Sequence, residues 1–213
     1  MKPIRKFIVR IPKAVNDVIK VGGKDLFIDS KFTEFDHRAY EGEVIGIPLL
    51  YDTGVEVGDT LYFHHHVVLG GNHFISGDTK LEEQDRRGQF IYSDSDIYYV
   101  NFSYQFDPLW NQAYAYKSKK TGEIKLLGEY IFLKPAEQED LLTSKLLELL
   151  PQEKPPNQYG YLEFESDKTK ELGLKKGDKV FFIKNGDYSM EIDGQKLYRV
   201  YLQNIYAKIP EQV

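Results

Sequence analysis

The apolar positions of this chain fall in short runs dense in β-branched and aromatic residues. Each run is closed by glycine, proline or aspartate, the pattern of strands joined by turns. Lys6–Pro12 is the first such run, and Pro12 stops it because proline cannot donate to a strand ladder. Gly42–Pro48 is the second. Tyr51–Gly54 then turns the chain into Val55–Phe63, where a Gly58-Asp59 pair precedes Thr60-Leu61-Tyr62-Phe63. Glycine reaches the left-handed backbone a tight turn needs, and aspartate bonds downstream amides. The strand opened by this turn is expected to run on through His64, His65 and His66 to Leu69. Thr79–Gln89 is a charged loop, and Phe90–Val100 closes the set. Between Pro12 and Gly42 the pattern lapses, apart from the triplet Leu26-Phe27-Ile28 set between Gly22-Gly23 and Asp29.

The same order then recurs. Glu129–Pro135 is again an apolar run ended by proline, and an irregular proline-rich segment follows to Tyr159. Gly160–Phe164 answers Gly42–Ile45. Gly173–Ile183, with its Gly177-Asp178 pair, answers Val55–Phe63, and Tyr198–Tyr206 answers Phe90–Tyr98. Matching punctuation in matching order is an internal repeat. Residues 101–126 lie between the copies and hold the chain's single tryptophan, Trp110. Tyr114 and Tyr116 alternate with alanines as in a strand, and Lys119–Gly122 reads as a turn towards Ile124–Leu126. The expected plan is mostly β: repeat one over residues 1–100, an aromatic-rich hairpin spacer over 101–126, and repeat two over 127–213.

Composition narrows the function. The 213 residues are 41% hydrophobic and 14% aromatic, enough for packed cores. A formal net charge of −5 without long like-charge blocks lacks the usual signature of nucleic-acid or anionic-membrane binding. No cysteine is present, which fits a reducing compartment and removes thiol chemistry and disulfides. No apolar stretch is long enough for a signal core or a membrane span, so a cytoplasmic location is expected. Phosphate loops, dinucleotide glycine motifs, zinc-helix pairs and nucleophile elbows are all missing from the sequence. No catalytic residue, cofactor or metal is therefore expected. His64-His65-His66 with His73 is the best metal candidate, with a histidine-based metal enzyme as the weakest reading of function. Strand alternation would put His64 and His66 on one face and His65 on the other, so a solvated or interface-facing role is expected.

The ordered motifs Gly42-Glu43-Val44, Val55–Asp59, Ser93–Ile97 and Leu174–Val180 resemble those of the GroES-type co-chaperonins (the chaperonin-10 family), in a tandem-repeat form. The resemblance covers most of residues 6–100 and 127–209. It rests on order, spacing and duplication, since a Gly-Asp turn alone is common. It implies two tandem GroES-like, partly open antiparallel β-barrels. It further implies self-association into a ring, a GroEL-type chaperonin ring as partner, and a folding substrate protein enclosed beneath. One departure is the short interval before each Gly-Asp turn, Pro48–Val55 and Glu165–Leu172, which implies a dome with little or no roof. A different class of function for the same fold is a ring-forming structural or assembly protein that binds no chaperonin.

In that family an apolar triplet in the loop after the first strand docks on the chaperonin, and by position it falls on Leu26, Phe27 and Ile28. The alternative is a strand with one face in the core. In the second repeat the triplet falls on Leu146-Leu147 or on Leu149-Leu150. A short amphipathic helix packed on the barrel explains those leucines equally well. Burying three large apolar side chains gains about 1.5–3 kcal/mol each. Ordering a loop costs about 1–2 kcal/mol per residue in backbone entropy, so a single docking segment binds weakly. Affinity then comes from several tethered segments engaging one ring.

Overall fold

The computed structural model describes residues 2–14, 18–21, 24–27, 38–68, 96–103, 111–136 and 158–209. The chain divides into two compact units, Met1–Gly128 and Glu129–Val213. Each unit is built on one antiparallel six-stranded sheet, and the one α-helix among the described residues is a single short turn.

In the first unit the strands are β1 (Lys6–Arg10), β2 (Val18–Val21), β3 (Lys24–Phe27), β4 (Glu41–Gly46), β5 (Thr60–Phe63), β6 (Ile97–Asn101), β7 (Ala113–Lys117) and β8 (Ile124–Leu126). Its sheet order is β6-β1-β4-β5-β7-β8, while β2 and β3, among the described residues, pair with each other alone. The second unit comprises β9 (Tyr130–Pro135), β10 (Tyr159–Leu162), α1 (Asp167–Glu171), β11 (Lys179–Phe182), β12 (Asp187–Ile192), β13 (Gln195–Tyr201) and β14 (Ile205–Ile209), in the order β12-β13-β9-β10-β11-β14. Neither sheet closes on itself among the described residues.

Removing β8 from one sheet and β12 from the other leaves two identical frames, β6-β1-β4-β5-β7 and β13-β9-β10-β11-β14. The match extends to single bonds. Gly58 N–H donates to the Val44 carbonyl at 2.8 Å, and Gly177 N–H donates to that of Leu162 at 2.7 Å. Asp59 accepts from the Glu56 amide at 2.8 Å, and Asp178 accepts from the Lys175 amide at 2.7 Å. Both glycines sit at positive φ, 96° and 89°, where a Cβ would be strained. The ladder slips between Tyr62 and Phe63 in the first frame and between Phe181 and Phe182 in the second, a bulge at the same position. The repeat read from punctuation is thus a repeat of backbone pairing.

The cores follow from strand position. β1 and β9 lie inside their sheets and bury side chains on both faces, including Phe7, Ile8 and Val9 in one and Ile131, Phe132 and Leu133 in the other. The first core gathers Phe7, Val9, Val44, Leu61, Phe63 and Val100, and the second gathers Ile131, Leu133, Leu162, Val180, Phe182 and Val200.

Two features differ from expectation. The hairpin at 113–126 does form, but β7 pairs with β5 and makes the outer part of the first sheet. The strand expected to run to Leu69 stops at Phe63, and His65–Val67 is a 3-10 turn. Tyr198–Tyr206 spans the end of β13, a 3-10 turn and the start of β14. Two further elements escape the repeat pattern. β12 joins β13 through Asp193 and Gly194, at φ 54° and 77°, a two-residue hairpin that requires positive φ at both positions. α1 is set by a capping box: Ser166 Oγ accepts from the Thr169 amide at 3.3 Å, and the Ser166 amide donates to Thr169 Oγ1 at 2.8 Å.

The second unit carries carboxylates bonded to lysines. Glu163, buried, is met by Lys134 and Lys176, both at 2.9 Å. Burial alone would push its pKa up, but the two lysine bonds outweigh that and hold it below the ordinary value. The Lys208 ammonium at 2.7 Å, with the Lys175 amide, lowers Asp178. Lys168, with help from the Tyr201 hydroxyl, lowers Glu129. A depressed carboxylate contributes stability that is present above its unfolded pKa, about 4.3 for Glu and 3.9 for Asp, and is lost as pH falls through the folded value. The urea midpoint of the second unit is therefore expected to hold from pH 7 to 5 and to decline below about pH 4.5. Glu163→Gln should flatten part of that decline, and an unchanged midpoint down to pH 3 would contradict the assignment.

Candidate functional site

The segment between β1 and β4 contains a small separate hairpin. β2 and β3 pair antiparallel, with Val18 opposite Phe27, Ile19 opposite Leu26, Lys20 opposite Asp25 and Val21 opposite Lys24. Two glycines, Gly22 and Gly23, connect the strands in sequence. A two-residue connection of this composition suits the tight turns that match strand twist. Phe27 lies in β3, and Leu26 beside it is 48% exposed. Leu26 is thus held on a strand yet left facing solvent, whereas an interior strand would bury it. Ile28, Leu146, Leu147, Leu149 and Leu150 lie outside the described residues.

The hairpin's root is ordered by the frame. Ile11 N–H donates to the Asp96 carbonyl at 2.7 Å, continuing the β1–β6 ladder beyond β1, and Ala39 N–H donates to the Ala14 carbonyl at 2.9 Å. These bonds tie down the chain on either side of the hairpin. Arg10, at the end of β1, lies 3.7 Å from Glu43 and 3.6 Å from Asp96, an exposed cluster that adds little energy but matches charges across three neighbouring strands.

The histidine turn is a second concentration of chemistry. His64 caps the 3-10 turn with its Nδ1, which accepts from the His66 amide at 3.1 Å. The rings of His64 and His65 stack at 4.3 Å between centroids, and His66 lies 4.1 Å from His64 and 4.5 Å from His65. One ligand atom from each falls within 4.8 Å of the other two, the one such group of metal-ligating side chains among the described residues. Burial first, then the neighbouring His66 and the Arg38 guanidinium, push His65 down to about 4. His73 lies outside the described residues. The alternation that would have separated the three rings is therefore replaced by a turn that gathers them.

No helix among the described residues is long and apolar enough to cross a membrane. No protein-family model and no curated protein matches this chain.

Proposed function

We propose that this chain is a co-chaperonin of the GroES type in tandem form: two partly open β-barrels that self-associate into a ring and cap a GroEL-type chaperonin. Leu26, Phe27 and Ile28 dock on the chaperonin, with Leu146-Leu147 or Leu149-Leu150 as the second segment. The substrate is a folding protein held beneath the cap, and ATP hydrolysis belongs to the chaperonin ring. The observation that carries this reading is the hairpin of β2 and β3, which leaves the frame between β1 and β4 and exposes Leu26. It lies where the sequence resemblance puts the docking segment. The repeated five-strand frame supports the tandem form, and the shared bulges supply the bend a barrel wall needs.

The energetics suit a cap that cycles. Two segments already paired as strands have part of their ordering cost met before docking, which favours affinity through preorganisation. A few apolar side chains per contact still bind weakly, so occupancy of the ring depends on several chains binding together. Leu26→Asp, at an exposed position, leaves the frame intact and puts a charge into the docking contact. Co-sedimentation with a GroEL-type ring is expected with the wild-type chain only when nucleotide is present, and Leu26→Asp should abolish it. If Leu26→Asp binds as well as the wild type, the docking assignment is wrong. Assembly into a ring that ignores the chaperonin with or without nucleotide would instead favour a structural or assembly protein.

A further inference from the structure

We propose that His64, His65 and His66 form a binding site for one divalent transition ion of the kind imidazole prefers, for which Zn2+ is the natural probe. Three ring nitrogens already lie within 4.8 Å of one another. Ligands of a tetrahedral zinc stand about 3.4 Å apart, since each Zn–N bond is about 2.0–2.1 Å. Small side-chain rotations close that gap while the turn stays in place. The group contains no carboxylate, so it selects against Mg2+ and Ca2+, which take oxygen ligands.

The second unit shows that the frame does not require histidines here. Its matching turn is Ile183-Lys184-Asn185, with Asn185 at φ 59° where the first copy forms a 3-10 turn, and two backbone bonds recur around it. Gly186 N–H donates to the Ile183 carbonyl at 3.0 Å, as Val67 N–H donates to that of His64 at 3.0 Å. Ile183 N–H donates to the Asn204 carbonyl at 3.0 Å, as His64 N–H donates to that of Gln112 at 2.9 Å. The turn is structural, and the three imidazoles are an addition peculiar to the first copy. His65, at the base, is buried beside the core residue Val67, which fixes one ligand to the rigid end of β5.

Two features set the strength. With Nδ1 accepting from the His66 amide, the His64 proton sits on Nε2, so ligation exchanges that cap for a metal bond or moves the proton. The Arg38 guanidinium stands close enough to oppose positive charge at His65. Both temper affinity, giving a site that exchanges its ion with solution.

The test is Zn2+ titration of the full chain by calorimetry, with thermal unfolding in parallel. His64→Asn keeps a side-chain oxygen for the cap while removing the imidazole, and His66→Gln removes a ligand that is only half-buried. Saturable binding of one Zn2+ per chain is expected, with a rise in unfolding temperature by mass action. Each variant should bind about tenfold or more weakly, while its metal-free unfolding temperature stays that of wild type. The wild-type chain unfolded in urea serves as control, because three adjacent histidines bind metal weakly in any conformation. Equal affinity of the folded and unfolded chains overturns the proposal. So does unchanged affinity in both variants, or a response to Mg2+ equal to that for Zn2+.

Discussion

Phe182→Ala is expected to lower the stability of the second unit by about 3–5 kcal/mol, a large share of what a domain of this size possesses. Phe182 is fully buried among Ile131, Leu133, Leu162, Val180 and Val200. It also stands at the bulge, opposite Ile205, where β11 bends against β14. Its amide donates to the Gln158 carbonyl at 2.8 Å, so the backbone is anchored and closes only partly over the space left behind. Phe63 occupies the same place in the first frame: it is fully buried, follows the same slip in register, and its amide donates to the Tyr40 carbonyl at 2.7 Å. Phe63→Ala should therefore cost the first unit a similar amount. Urea unfolding gives the energies, and hydrogen exchange resolved by peptide shows which unit has weakened. A loss under about 1 kcal/mol for either variant would mean that the bend is not a packed joint.

Gly160→Ala is expected to cost the second unit about 1–3 kcal/mol or more through overpacking. A Cβ at Gly160 would lie 2.7 Å from the Lys134 carbonyl oxygen and 2.9 Å from Leu133 Cβ. Both belong to β9, paired with β10 along Gly160-Tyr161-Leu162, so relief requires the strands to part. Gly42 is the matching residue, but its nearest neighbour is Ile11 Cγ1 at 2.9 Å, the movable part of a side chain, with the Arg10 carbonyl oxygen at 3.0 Å. Gly42→Ala should therefore be the milder change. The order of the two urea midpoints checks this, and a milder Gly160→Ala would show that backbone contact does not set the cost.

Much of this frame was legible in the chain. Gly58-Asp59 and Gly177-Asp178 carry a turn whose side-chain and backbone bonds are local, so the sequence marks them. The openings Lys6–Arg10 and Tyr130–Pro135 are apolar enough for strands buried on both faces. The pairing of β7 with β5 is less legible, because sheet neighbours distant in sequence leave no local mark. β12 carries a plain signal, with Tyr188, Met190 and Ile192 alternating with polar residues before Asp193-Gly194. It has no counterpart among the described residues of the first copy, so the repeat does not announce it. α1 has five residues, too few for periodicity, and only its capping box announces it.

The histidine turn is the instructive failure. His64–Leu69 has the composition of a strand, but the His64 imidazole competes for the backbone by accepting from the amide two residues on. That bond caps a turn which the second unit forms at the same place without histidine, and the turn brings together rings which alternation would have kept apart. For docking, the sequence marked Leu26-Phe27-Ile28 as a loop, and the structure makes Lys24–Phe27 a strand of a separate hairpin with Leu26 exposed. Val18–Val21 is only four residues long and weakly patterned, although the Gly22-Gly23 connection beyond it is itself a hairpin signal.

Native mass spectrometry of the chain mixed with a GroEL-type ring, with and without nucleotide, decides whether the two associate. A ring of this chain seated on the chaperonin is expected in the presence of nucleotide, and separate components without it. Masses that remain those of the free components under both conditions would contradict the proposal.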